Sequence, residues 1–219
     1  MKRNTANRVK KLIEQGEGLH LDFKFEISDA AKIARSLVAF ANTDGGTLLV
    51  GVKDNGKIAG VRSEEEFYMI ENAAQRYCKP PLGFSTKEWT LEGKKVLEVT
   101  IRKSDRLPHK APDKLGHYKA YIRQADENLL ANGVQMKIWN KQKSRSSIQF
   151  TYRDEEKILL ELLKNHPSIS LSQFMKRSGL SRYRAENMLA NFILLGLAQM
   201  NITPEGIRFS AAEAADGAE

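Results

Sequence analysis

Basic and polar side chains suited to contacting nucleic acid cluster in one segment, SLSQFMKRSGLSRYRAENMLANFILLG, which begins at Ser170. Apolar residues recur through it at helical spacing, and Gly179 separates two short helices by a tight turn, which is the pattern of a helix-turn-helix. In this motif the start of the second helix faces base edges and phosphates in the major groove. The side chains expected there are Arg182, Tyr183, Arg184 and Asn187, and Lys176 and Arg177 are expected against the flanking backbone.

Three helices followed by a hairpin predict a winged helix-turn-helix domain over residues 151–210. The helices are predicted over 154–165, 170–178 and 181–195, and two strand-like runs flank the turn residues 203–206. Winged domains also serve as protein–protein or dimerisation modules, and a charged helix face is often only solvated. The near-neutral charge after Ile148, with 8 Lys and Arg against 9 Asp and Glu, favours that alternative.

The positive charge of the chain lies in its first part. Of a formal net charge of +8, the residues up to Ile148 contribute 27 Lys and Arg against 18 Asp and Glu. The densest basic cluster follows a predicted strand, and it contains Arg102, Lys103, Arg106 and Lys110. Such a cluster has the make-up of a phosphate-contacting surface, and the alternative is a solvated loop.

Several kinds of chemistry find no support in the spacing of the reactive residues. His20, His109, His117 and His166 are scattered without metal-ligand spacing, so each is expected to be a surface or strand residue, and no Ser/His/Asp or Cys/His arrangement follows. Gly45 and Gly46 lie between a helix and a strand with no Gly-Lys-Ser/Thr after them, so an ATPase is poorly supported. The single Cys78 excludes an internal disulfide framework.

Strands outnumber helices in the first part and are mixed with them along the chain, which predicts an α+β domain. A helix is expected over 29–42, capped by Ser28 or Asp29, and a buried strand over 47–52 turns at Asp54-Asn55-Gly56 into a hairpin with 57–61. The remaining predicted elements are strands at 19–25, 83–90, 95–102 and 117–123 and helices at 63–77 and 128–139. The last of these helices is expected to close the domain.

The composition, 41% hydrophobic and 28% charged, is that of an ordered globular protein. We expect an α+β domain over 1–140, a linker over 141–150 with the polar run KQKSRSSIQ, the winged domain over 151–210, and a disordered acidic tail over 211–219. The basic start of the chain lacks the apolar core of a signal peptide, and no apolar run approaches the ~18 residues of a membrane span. The protein is therefore expected to be soluble and cytoplasmic, without a membrane partner.

The first part resembles the Schlafen AlbA-type domain. The motif residues are EGLHLDFK from Glu17 to Lys24, FAN ending at Asn42, Gly45-Gly46, and GVKDNG from Gly51 to Gly56. The resemblance implies a mixed-sheet α+β domain. In prokaryotes this domain commonly precedes a winged helix and is described as a DNA-binding module of transcriptional regulators, so the order of the two predicted domains is similar as well.

In the vertebrate Schlafen proteins, which are RNA endonucleases, three acidic residues of this motif form the active site, and the resemblance places them at Glu17, Asp22 and Asp54. Three carboxylates could bind Mg²⁺ or Mn²⁺ for phosphodiester cleavage, and Lys24 could hold the scissile phosphate. Asp22 is one methylene shorter than the Glu of the family pattern, and Asp54 has the alternative role of a turn former. Arg123 matches a Tyr-x-Arg position of the family, and it is expected either to pair with one of the carboxylates or to contact phosphate.

These observations predict a nucleic-acid-binding protein, with DNA favoured over RNA, that acts as a transcriptional regulator and binds as a dimer. No cofactor is required for that function. The alternative is a metal-dependent endonuclease that uses Glu17, Asp22 and Asp54. A third hypothesis is an oligomerisation scaffold, in which the predicted 47–61 hairpin pairs between subunits and the winged part binds another protein.

Overall fold

The structure is a computed structural model that describes residues 2–61, 64–144, 152–203 and 206–213, with side chains from residue 8 onward. The contacts within it divide the chain into two compact units, the first ending at Ala131 and the second beginning at Asn132. The division therefore lies ahead of residue 140, where the sequence places the end of the first domain. None of the described helices is both long enough and apolar enough to cross a membrane.

The first unit contains a mixed four-stranded sheet and a second, antiparallel sheet of three strands. The first sheet has the order β1-β2-β4-β3, in which only the β1–β2 pair is parallel, and the second has the order β5-β6-β7. The predicted α+β class with a mixed sheet is confirmed. The elements are α1 (Lys2–Gln15), β1 (Leu21–Lys24), α2 (Ala30–Asn42), β2 (Gly46–Val50), α3 (Glu65–Asn72) with a π-helical continuation (Ala73–Tyr77), β3 (Ser85–Leu91), β4 (Lys94–Ile101), β5 (Lys110–Pro112), β6 (Tyr118–Gln124) and β7 (Glu127–Leu130).

Helix α2 is the centre of this unit. Asp29 caps it by accepting a hydrogen bond from the Lys32 N–H at 3.0 Å, and most of its residues are buried. A helix that is apolar on most of its circumference must be covered on several sides. Strands β5 and β6 and the π-helical segment all pack against α2, and Phe40 and Leu37 are fully buried among the core residues of β2 and β4.

Two predicted elements of the first unit differ in the structure. The hairpin predicted over 47–61 is reduced to a single bridge between Val52 and Ile58, because Ala59 and Gly60 both donate to the Gly51 carbonyl and turn the chain away. The helix predicted over 128–139 begins only at residue 133, since Glu127–Leu130 pairs with β6 as strand β7. At residues 127–130, pairing with β6 therefore produces a strand where the local pattern predicts the start of a helix.

The described residues of the second unit form four helices and a two-stranded antiparallel hairpin. Its elements are α4 (Gly133–Ser144), α5 (Asp154–Asn165), α6 (Leu171–Ser178), α7 (Arg182–Leu194), β8 (Ala198–Thr203) and β9 (Gly206–Ala211). Three helices and two strands lie in the segments where the sequence predicts them, and their assignment as a winged helix-turn-helix stays a prediction. The core includes Leu159, Phe174, Leu189 and Phe209.

Helix α4 lies on the other side of the division from the domain it was expected to close. Its buried side chains Val134 and Ile138 are four residues apart, so they share one helix face, and that face belongs to the core of the second unit. Residues 141–144 of the predicted linker form the last turn of α4, while 145–150 lie outside the described residues. Strand β9 extends to Ala211 in the predicted tail, and residues 214–219 are likewise outside them.

Candidate functional site

The first turn of α7 presents three consecutive exposed side chains, Arg182, Tyr183 and Arg184. The turn before the helix positions them: Gly179 ends α6 in the left-handed region at φ 68°, and Leu180 is buried beside it. Tyr183 is 72% exposed, while Ala185 is fully buried and anchors the other face of the helix. The predicted contact residues therefore lie together on a surface, with Asn187 half-buried one turn further on.

Each of these three side chains has a neighbour that holds it in place. Arg182 Nε donates to Glu186 Oε1 at 2.9 Å, and Arg184 lies 3.3 Å from Glu155 Oε1 on α5. The ammonium of Lys137 on α4 lies 3.5 Å from the centroid of the Tyr183 ring. The Arg184–Glu155 pair is partly exposed, and such pairs are worth only about 0–1 kcal/mol, so a phosphate can replace Glu155 at little cost. The Glu186 side chain is mostly buried, at 12% exposure.

Helix α6 brings two further predicted cations to its carboxyl end. Lys176 and Arg177 are exposed in the last turn of α6, where the helix dipole favours positive charge. Sequence reasoning missed Lys137, because nothing local indicates that α4 packs against α7. A sequence signal for the packing of α4 does exist in its two apolar residues Val134 and Ile138, which mark the packed face of the helix.

In the first unit, Glu17, Asp22 and Lys24 lie on strand β1 and in the segment just before it. Asp22 is 4% exposed, and its Oδ2 lies 2.9 Å from Lys24 Nζ. Glu17 Oε1 accepts a hydrogen bond from the Phe23 N–H at 2.7 Å, which turns its carboxylate toward Asp22. These three residues, predicted from the resemblance, are thus brought together.

Arg123 completes this cluster from strand β6, and it is buried. Its side chain is 1% exposed, and its guanidinium lies 3.4 Å from Asp22 Oδ1. It also donates to the Gly18 and Leu21 carbonyls and to Asn128 Oδ1, over 3.1–3.2 Å. Of the two expectations for Arg123, pairing with a carboxylate is therefore the one observed, and the guanidinium is not on a surface that nucleic acid can reach.

Burial raises the pKa of Glu17 above its ordinary value of 4.5. The Phe23 N–H opposes this by stabilising the carboxylate, while the hydrogen bond and charge of Asp22 raise the pKa further and Lys24 lowers it. Glu17 therefore holds a proton more strongly in the folded protein than in the unfolded chain.

Replacing Glu17 by Gln is expected to remove a pH dependence of stability. Because the folded pKa is raised, wild-type stability falls as the pH rises from about 4.5 through the folded pKa, whereas Gln has no proton to lose. The variant should therefore gain stability relative to wild type as the pH rises above about 4.5. Urea unfolding across this range measures the difference, and two parallel stability curves would contradict the shift.

The third carboxylate, Asp54, lies on an exposed turn after β2, where Gly56 N–H donates to the Lys53 carbonyl at 2.7 Å. Among the residues that the structure describes, no group of three or more His, Cys, Asp or Glu is placed to hold a metal ion. Asp22, moreover, already has two cationic neighbours, Lys24 and Arg123. The arrangement therefore does not fit the predicted Mg²⁺ or Mn²⁺ site, and Asp54 is placed as a turn former.

The basic loop after β4 is exposed at Arg102, Lys103 and Arg106, and Lys110 is half-buried at the start of β5. Lys103 Nζ donates to Asp44 Oδ1 at 2.8 Å. Two buried residues that sequence reasoning did not select hold this loop, Asn42 and His109. The Asn42 amide donates to the carbonyls of His109 and Tyr121 and accepts from the His109 N–H, each at 2.8 Å.

His109 was expected on a surface or strand, and it is instead 3% exposed in the loop before β5. Its Nε2 lies 2.7 Å from Ser104 Oγ and its Nδ1 lies 2.8 Å from the Pro80 carbonyl oxygen. A sequence signal for Asn42 does exist, since it is an amide at the end of an otherwise apolar buried helix and such a group needs partners. His109 has no comparable signal.

The match to a known protein family covers most of the first unit. The profile of the family described as "Schlafen, AlbA_2" matches residues 17–132. No curated protein matches the chain.

Two solved structures are similar to the chain at low identity. The crystal structure of the DIP2311 protein from Corynebacterium diphtheriae is 17% identical, with a TM-score of 0.46 over 89% of this chain and 34% of that one. The solution structure of the N-terminal domain of a RecG-related protein from Nitrosomonas europaea is 21% identical, with a TM-score of 0.39 over 54% of this chain and 87% of that one. The chain thus spans about a third of the DIP2311 protein.

Proposed function

This chain belongs to the Schlafen, AlbA_2 family, and we propose that it is a nucleic-acid-binding protein, which contacts DNA through its second unit and acts as a transcriptional regulator. Its second unit is proposed to be a winged helix-turn-helix, with α6 and α7 as the two helices of the motif and the β8–β9 hairpin as the wing. As is usual for such regulators, we expect two copies to bind a symmetric site.

The observation that carries this proposal is the exposed first turn of α7. Arg182, Tyr183 and Arg184 are adjacent and exposed on one turn of the helix, so a single nucleic-acid surface can contact all three. Arginine can pair with guanine edges or with phosphates, and it does so from the start of the second helix in this motif. Lys176 and Arg177 are exposed in the last turn of α6, and they are proposed to contact the DNA backbone.

The basic loop of the first unit supplies a second proposed phosphate contact. Arg102, Lys103 and Arg106 are exposed on it, and the first part of the chain carries the excess of positive charge. Phosphate contacts add affinity without selecting a sequence. Arg123 has no part in this contact, since its guanidinium is buried against Asp22.

Replacing Arg184 by Ala should weaken binding of a labelled DNA duplex by about tenfold or more, because one charged contact to a base or phosphate is worth about 1–3 kcal/mol. Fluorescence anisotropy measures the affinity, and a series of salt concentrations should show a slope reduced by about one if the lost contact is to a phosphate.

The matched control is Lys164→Ala, which removes an equal charge from the other end of α5. Glu155 near the start of that helix lies against Arg184, and Lys164 is nine residues further along, about 14 Å at 1.5 Å per residue. This variant should bind within about twofold of wild type. Equal affinity for wild type and the Arg184 variant would remove α7 from the proposed interface.

A metal-dependent nuclease at Glu17, Asp22 and Asp54 is the weaker proposal, because the structure unites only two of the three carboxylates and pairs Asp22 with cations. Incubating the full chain with labelled DNA and tRNA, with Mg²⁺ or Mn²⁺ and with a chelator, separates binding from cleavage on native and denaturing gels. A salt-sensitive shift with intact substrate supports the regulator. Metal-dependent cleavage that disappears in the Glu17→Ala variant would instead support the nuclease and overturn the regulator proposal.

A further inference from the structure

A cavity of about 590 Å³ opens in the first unit between residues 81–85, the end of β4 and the basic loop that follows it. Three cationic side chains line the cavity, Arg102, Lys103 and Arg106, against one acidic side chain, Asp105. Lys103 is paired with Asp44, so the excess of positive charge comes from the two arginines. Such a balance favours an anionic ligand. Ser104 and His109 lie on the same wall, and neither is used by the proposed DNA contact through α7.

The hydrogen bonds of His109 determine which of its ring nitrogens carries the proton. The Pro80 carbonyl oxygen, 2.8 Å from Nδ1, can only accept, so Nδ1 carries the hydrogen. In the neutral imidazole Nε2 then has a lone pair, and the hydroxyl of Ser104 must donate to it across 2.7 Å. His109 is therefore oriented as a base toward Ser104, with a backbone carbonyl as the orienting third group.

The surroundings keep this imidazole neutral. Burial lowers the pKa of His109, the bond to the Pro80 carbonyl opposes that effect, and the nearby charge of Arg106 lowers the pKa further. The position of Ser104 Oγ is set as well, because it accepts the Arg106 N–H at 3.0 Å. A serine whose hydrogen is directed at a neutral histidine presents its remaining lone pair outward, which is the arrangement of an activated nucleophile.

The contacts around the Ser104–His109 hydrogen bond favour a chemical role for this pair over a purely structural one. Asn42 already holds the backbone of His109 on both sides, through its N–H and its carbonyl. The Ser104 N–H is separately bonded to the Ala41 carbonyl at 2.9 Å. The loop is thus held to α2 without the side-chain pair, and the pair faces a cavity lined by cations.

We propose that Ser104 is a nucleophile, with His109 as its general base, for phosphoryl transfer from a phosphate ester. Ser104 Oγ forms a bond to phosphorus while the bond from phosphorus to the leaving oxygen breaks, and the hydroxyl proton passes to His109 Nε2 and then to the leaving oxygen. Water then attacks the phosphorus and gives a proton to His109 Nε2, the bond from Ser104 Oγ to phosphorus breaks, and that proton returns to Ser104 Oγ. No group is oxidised or reduced. Arg102 and Arg106 balance the charge on the phosphoryl oxygens. This activity does not require the proposed DNA contact through α7, but it uses two arginines of the basic loop that is also proposed to contact DNA phosphates.

The test uses the full chain with p-nitrophenyl phosphate and, separately, with bis(p-nitrophenyl) phosphate, both in the presence of a chelator. The first probe reports a phosphomonoester site and the second a phosphodiester site. We expect release of p-nitrophenolate, and after acid quenching a covalent phosphoryl adduct on the peptide that contains Ser104. Replacing Ser104 by Ala should reduce the release about 100-fold or more and remove the adduct.

Ser28→Ala is the control, since it removes an exposed hydroxyl of the same unit and should leave the release unchanged. Arg102→Ala, another exposed position, should raise KM with a smaller change in kcat if that guanidinium binds the phosphoryl group in the ground state. No release by the wild-type chain, an adduct on a peptide without Ser104, or undiminished release by a folded Ser104→Ala variant would overturn the proposal. Mapping the wild-type adduct decides the matter even if that variant does not fold.

Discussion

Replacing Arg123 by Met is expected to lower the free energy of unfolding by about 3–5 kcal/mol, because it leaves a buried carboxylate without its buried partner. Asp22 is 4% exposed and the Arg123 side chain is 1% exposed, so water cannot take the place of the guanidinium. Met retains much of the apolar contact with the Phe40 ring, whose centroid lies 5.1 Å from the guanidinium carbon. Since small domains are stable by only about 5–15 kcal/mol, this loss is a large fraction of the total.

Urea unfolding of wild type and variant measures this change. Arg102→Met is the matched control, because Arg102 is exposed on the basic loop and the same substitution there should change stability by no more than about 0.5 kcal/mol. The double variant Asp22→Asn with Arg123→Met should be less destabilised than the sum of the single variants, as the two groups are in contact. A loss below about 1 kcal/mol in Arg123→Met would show that the ion pair is not buried.

Replacing Asn42 by Leu is expected to have the next largest effect, a loss of about 3 kcal/mol or more. Leucine leaves three buried backbone groups without a partner, namely the His109 N–H and the carbonyls of His109 and Tyr121, and each such group costs about 1–3 kcal/mol. The loss should be accompanied by faster hydrogen exchange at the His109 N–H, because the loop is released from the end of α2.

Thermal or urea unfolding gives the size of the effect, and hydrogen exchange gives its location. Asn140→Leu makes the same change at an exposed position of α4 and should alter stability by no more than about 0.5 kcal/mol. If Asn42→Leu destabilised the protein no more than this control, the amide would not be the group that holds the loop.

The elements that form within short stretches of chain were predictable from the sequence. Helix α2 follows from apolar residues at helical spacing after the capping residue Asp29, and α6 and α7 follow from the same spacing around Gly179. Likewise the exposed positions of Arg182, Tyr183 and Arg184 follow from the apolar face formed by the rest of α7. Each of these features is determined by residues within one or two helical turns of each other.

Where the prediction failed, the deciding contact joins residues that are far apart in the chain. The pairing of β7 with β6 prevents a helix at Asn128, and the packing of α4 in the core of the second unit assigns that helix to the later part of the chain. The periodicity of apolar residues shows which face of a segment is apolar. Strand pairing and helix packing depend on which distant segment has a surface that fits that face.

The candidate sites show the same division. The available side chains could be read from the sequence, namely the carboxylates Glu17 and Asp22, the arginines, and the serine and histidine of the basic loop. Their partners depend on tertiary contacts, which bury Arg123 against Asp22, leave Asp54 on an exposed turn, and hold His109 between Ser104 and the Pro80 carbonyl. Charge and reactivity depend on burial and on neighbours a few ångströms away, and the chain topology alone brings those neighbours together.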